Sequence, residues 1–119
     1  MSHLPPSLLT LLLLVASALG HSEFEGSSPK DGETMKASPR EVRIWFSEPI
    51  KVRLSTVAVS DASGKQVDQR DLHADEKQPT LVRLSLPANL APGLYKVTWT
   101  AVAQDLHVGK GGFRFHVAP

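Results

Sequence analysis

Apolar residues recur at every second position over much of this 119-residue chain, a spacing that fits strands and no helix. Val42, Ile44 and Phe46 alternate with Arg43 and Trp45 until Ser47-Glu48-Pro49 ends the run. Val57 and Val59 flank Ala58 ahead of Asp61-Ala62-Ser63-Gly64, a hairpin-turn composition. Leu84 and Leu86 alternate with Arg83 and Ser85 up to Pro87. Tyr95, Val97, Trp99 and Ala101 share a face of the longest predicted strand, which follows the turn Ala91-Pro92-Gly93. Phe113, Phe115 and Val117 share a face of the last one, with Arg114 and His116 on the other. Short strands punctuated by Pro and Gly predict an all-β Greek-key sandwich or small barrel of about seven strands. The polar, aperiodic stretch from Asp68 to Thr80 reads as a surface excursion.

Ahead of the strands lies a leader. From Leu8 to Val15 the chain is almost unbroken leucine, followed by Ala16-Ser17-Ala18-Leu19-Gly20. The run falls short of the roughly 20 apolar residues that a bilayer span needs, which disfavours a retained anchor helix. Small residues at 18 and 20 suit a signal peptidase, so residues 1–20 are expected to be a cleaved signal peptide and 21–119 the mature domain. The leader lacks the usual Lys or Arg at its start. Cleavage there exports the protein and makes His21 its first residue.

All 13 Lys and Arg and all 12 Asp and Glu follow position 20, so the mature chain is close to neutral. Neither a nucleic-acid footprint nor a polybasic membrane patch is visible in the sequence. There is no cysteine, so packing alone must hold the fold, and thiolate is excluded as a metal ligand.

Against that background three positions stand out as ligands. A histidine with a free terminal amine offers two nitrogens through one chelate ring. In an extended segment Asp105 and His107 project to the same side while Leu106 turns away. Three nitrogens and one carboxylate oxygen suit a tetragonal ion, and Cu(II) is the divalent first-row metal such a set favours most. Cu(I) wants several soft sulfur ligands, and Met35 alone cannot provide them; one Cu(II) per chain is expected.

Several blocks of the chain resemble the CopC family of periplasmic copper-binding, copper resistance proteins. They are His21 through Ser28-Pro29-Lys30-Asp31-Gly32, Phe46-Ser47-Glu48-Pro49-Ile50, the run from Leu90 to Trp99, Asp105-Leu106-His107, and Gly112 to Val117. The resemblance implies an exported, Ig-like β-sandwich holding Cu(II) through His21, Asp105 and His107. It also implies an outer-shell place for Glu48, and a membrane copper transporter of the CopD type as partner to a monomer. Three departures leave the ligands intact: Ser22 stands where alanine is usual, Ala103-Gln104 precedes Asp105 where serine is common, and Val108 replaces a customary proline.

Two other functions fit parts of the sequence. A histidine-brace oxidase also uses an N-terminal histidine on a β-sandwich, but an anionic Asp105 in the copper plane favours Cu(II) over the Cu(I) that an oxygen-activating cycle needs. A metal-free Ig-like interaction domain would need the fold alone. His73 and His116 read as solvated residues, and the aromatic residues as core.

Overall fold

The computed structural model describes residues 22–119. The signal-peptide reading of 1–20 and the ligand role of His21 fall outside the described residues. Among the described residues eight strands are present: β1 (Phe24–Ser28), β2 (Thr34–Met35), β3 (Glu41–Phe46), β4 (Thr56–Ser60), β5 (His73–Ala74), β6 (Leu81–Ser85), β7 (Gly93–Val102) and β8 (Val108–Val117), with one short 3-10 turn, η1 (Val52–Leu54), before β4. They form two four-stranded sheets, ordered β1-β3-β6-β5 and β2-β8-β7-β4. All neighbours are antiparallel except β2, which lies parallel to β8. This is the all-β sandwich expected from the alternation, in the Ig-like form that the resemblance implies, with eight strands among the described residues where about seven were expected.

Each predicted apolar face turns inward. Val42, Ile44 and Phe46 from one sheet meet Val57, Val59, Tyr95, Val97, Trp99, Phe113 and Phe115 from the other in a single core. The ladder between β7 and β8 runs the whole length of both strands, from Gly93 opposite Val117 to Val102 opposite Val108. Gly111 lies opposite Trp99, and a Cβ there would sit 2.4 Å from the indole ring, so only glycine leaves room for it.

The stretch 68–80 departs from the simple excursion expected of it. It supplies β5, which extends the first sheet, and it buries Asp68 at 8% exposure. One Asp68 oxygen accepts from the Val59 N–H (2.9 Å) and the Gln66 amide (3.0 Å), while the other accepts from the Arg70 N–H (2.9 Å). The carboxylate thereby satisfies a donor on the outer edge of β4 that no strand reaches. His73 and His116 are exposed, as read.

Candidate metal centre

Asp105 and His107 sit in the connection between β7 and β8. The segment is a tight hairpin loop rather than the extended run expected from the two-residue spacing. Leu106 N–H donates to the Ala103 carbonyl (2.9 Å), Ala103 N–H donates to the His107 carbonyl (2.8 Å), and Leu106 takes a left-handed φ of 72°. That is a turn followed by one left-handed residue, a common three-residue hairpin closure. Asp105 stabilises it locally, with Oδ1 accepting from the His107 N–H at 3.1 Å.

The two side chains converge all the same. Asp105 Oδ2 and His107 Nδ1 are 2.7 Å apart. The imidazole is 64% exposed and the carboxylate 33%, so the pair opens to solvent at the loop tip. For N and O donors bound at about 2.0 Å, adjacent corners of a square lie roughly 2.8 Å apart. The observed separation therefore suits two neighbouring ligands of one tetragonal ion. Without metal, the same contact holds the ring in a fixed orientation.

Residues Ser22 to Phe24 are brought to this end of the sandwich by contacts that the alternation did not reveal. Ser22 Oγ donates to the Pro49 carbonyl (3.2 Å). Glu23 and Ser47 exchange two hydrogen bonds, Glu23 N–H to Ser47 Oγ (2.9 Å) and Ser47 N–H to the Glu23 carbonyl (2.7 Å). Phe24 stacks on Trp99 with ring centroids 5.1 Å apart. One step further, Ile50 bridges Ala103, and Lys51 N–H donates to the Val102 carbonyl (2.7 Å). The chain from Ser22 through Pro49 and Ile50 to Ala103 is thus laced together at the base of the Asp105–His107 loop. Glu48 lies exposed in the middle of this lacing. Ser22, a departure from the usual alanine, supplies one of its hydrogen bonds. Where Val108 replaces proline, the Ala103–His107 pairing closes the loop and β8 starts at once.

Among the described residues no three His, Cys, Asp or Glu side chains gather into a metal-holding group. Among them Asp105 and His107 stand as a pair.

Fold and loop together define an Ig-like β-sandwich that presents an acid–imidazole pair at one end beside the anchored Ser22–Phe24 segment. The CopC domain family matches residues 24–118, and the chain belongs to that family. The copper resistance protein C of Escherichia coli is 31% identical over 130 residues, spanning 98% of this chain and 99% of that one. The copper transport protein CutJ of Bacillus subtilis is 27% identical over 110 residues, covering 92% of this chain but 20% of CutJ, so this chain spans about a fifth of that relative. The crystal structure of CopC from Methylosinus trichosporium OB3b superposes with a TM-score of 0.76 at 28% identity, covering 83% of this chain and 95% of that one. Membership carries a copper-binding role in copper resistance, in a family of periplasmic carrier proteins.

Proposed function

We propose that this chain is an exported, non-catalytic carrier or buffer that holds one Cu(II) between the terminal amine and imidazole of His21, Asp105 and His107. Residues 1–20 are its cleaved signal peptide and 21–119 the copper-binding domain. The observation that carries the reading is the lacing of Ser22 to Pro49 and of Ile50 to Ala103, which ties the residue after His21 to the base of the Asp105–His107 loop. Cu(II) would replace the proton shared by Asp105 Oδ2 and His107 Nδ1, whose 2.7 Å separation fits two neighbouring ligands. Glu48 stands in the outer shell, adding negative charge near the cation. An anionic oxygen in the metal plane favours the oxidised ion, which makes the protein a holder of Cu(II) and no redox catalyst.

Copper is cargo here. The fitting recipient is an inner-membrane copper transporter of the CopD type, served by a monomeric carrier. CutJ, named a copper transport protein and five times the span of its match to this chain, supports the idea that such a domain works beside a larger partner.

Titration of the protein beginning at His21, followed by electron paramagnetic resonance, tests the site. One equivalent of Cu(II) with a tetragonal, nitrogen-rich spectrum is expected. Asp105→Asn keeps an acceptor for the His107 N–H while removing the charge, and should alter that spectrum and weaken binding at least tenfold. An unchanged spectrum in Asp105→Asn would remove the carboxylate from the ligand set.

A further inference from the structure

The two outer faces of the sandwich handle charge in opposite ways. On the β3–β6 face, Arg43 pairs with Glu41, and Arg83 pairs with both Glu41 and Asp75. On the β7–β8 face the alternation turns Lys96, Lys110 and Arg114 outward, all exposed, and among the described residues none forms an ion pair. Lys96 and Arg114 are direct cross-strand partners, a placement of like charges that weakens a sheet. The outward positions of neighbouring β4 are Thr56, Ala58 and Ser60, which add no acid. Asp31 is the acid at this face: it lines a shallow depression of about 530 Å³ with Lys96, Thr98, Gly112 and Arg114, and its Oδ1 accepts from the Arg114 N–H at 3.2 Å. Glu33, on the same loop, accepts from the Lys30 N–H. Cations remain in excess. The sequence shows no polybasic run, yet the fold assembles one from residues up to 18 positions apart.

Apolar side chains continue this face at its loop end. Four large hydrophobic residues are exposed among the described residues. Phe24 is one, and it stacks on Trp99. The others are Leu54 (59% exposed), Leu106 (62%) and Val108 (59%). Val108 is the cross-strand partner of Val102, whose N–H donates to Ser55 Oγ (2.9 Å), directly after Leu54 and exposed Arg53. Leu106 occupies a left-handed position that strains a leucine and suits glycine or asparagine. Neither packing nor turn geometry accounts for these three residues.

We propose that the outer β7–β8 face, with Leu54, Leu106 and Val108 at its tip, docks on an anionic phospholipid surface. Lys96, Lys110, Arg114 and Arg53 would meet the headgroups, and the three apolar side chains would enter the interface. Both contributions are the ordinary physics of peripheral membrane attachment. The bare strip at Gly112 and Thr98, the next outward rung after the Lys96–Arg114 pair, gives a headgroup room beside both cations. Resting on the copper reading above, such docking would hold the Asp105–His107 loop at the bilayer, where a membrane transporter opens.

Flotation with lipid vesicles, without copper, tests the proposal independently of the metal site. The form to use is protein beginning at His21, because residues 22–119 contain the whole core and the leucine run of the leader would bind lipid by itself. Binding is expected to vesicles of phosphatidylcholine with about a third phosphatidylglycerol and not to phosphatidylcholine alone, and to fall with added salt. Each cation removed should weaken partitioning roughly fivefold, so Lys96→Glu with Lys110→Glu should weaken it about 25-fold or more. Lys96→Glu places opposite charges across the ladder, so its melting temperature should hold or rise, which separates lost docking from lost folding. Lys77→Glu, on the opposite sheet's loop, should leave binding unchanged. Leu54→Ser with Val108→Ser should remove the part of binding that survives salt. Equal partitioning to both vesicle types, or indifference to the Lys96 and Lys110 changes, would overturn the proposal. Binding of a polyglutamate peptide without vesicle binding would overturn it too, in favour of an acidic protein partner.

Discussion

Asp105 closes a turn through its Oδ1 and meets the His107 ring through its Oδ2. One side chain thus sets both the loop's shape and its chemistry. Its neighbour Leu106 is held at a positive φ with its side chain mostly in solvent. Leu106→Asn should therefore raise stability by about 0.5–1 kcal/mol, read from urea unfolding, because asparagine tolerates that conformation better and little packing is lost. A loss of stability would mean that the leucine makes contacts its exposure does not suggest. Asp68 makes the reverse case. Asp68→Ala strands the buried Val59 N–H and should cost about 1–3 kcal/mol in the same assay. The Asp105–His107 pair was legible as a candidate because an acid and an imidazole two residues apart are conspicuous. Their local geometry was not, since no Gly, Asn or Pro between Ala103 and Val108 announces a turn.

Strands with a buried face of three or more apolar side chains could be read from their period. β3, β7 and β8 are examples, and their register leaves one choice of inner face. β2 and β5 could not, because two residues carry no period, and both are placed by neighbours already built. The lacing of Ser22, Glu23 and Phe24 onto Ser47, Pro49 and Trp99 was equally hidden, since it joins segments more than 20 residues apart through hydroxyl, backbone and ring contacts. At this scale Gly111 gives a sharp test of β7–β8 packing. Gly111→Ala should cost about 1–3 kcal/mol and change the fluorescence of Trp99, whose indole must move to admit the methyl group. Unchanged stability and emission would mean that the indole relocates freely.

Across the whole molecule, two pH windows separate. Asp61, Asp71 and Asp75 are held below the ordinary carboxylate value of 3.8: Asp61 first by the Ser63 hydroxyl, Asp71 by Ser85, and Asp75 by the Arg83 guanidinium. A carboxyl depressed in the folded state stabilises the fold above its unfolded value. That contribution fades as pH falls below about 3.8 toward the lower folded values. Copper binding needs deprotonated imidazole and α-amine, classes that titrate between about 6 and 8, so affinity falls through a higher window. Copper affinity should accordingly fall as pH drops from about 8 through about 6 while circular dichroism still reports the folded sandwich. Simultaneous loss of both signals would tie the site to global unfolding. At neutral pH, free Cu(II) at about 100 times Kd should stabilise the fold by about 2.7 kcal/mol, a rise in Tm of roughly 10 °C or more for a domain of this size.

The most direct test of the copper site compares Cu(II) affinity for protein beginning at His21 with that for protein keeping Gly20 ahead of it. An added residue turns the chelating amine into an amide and leaves Asp105, His107 and the fold as they are. The account predicts that the Gly20 form binds at least 100-fold more weakly at neutral pH. Equal affinity of the two forms would contradict it.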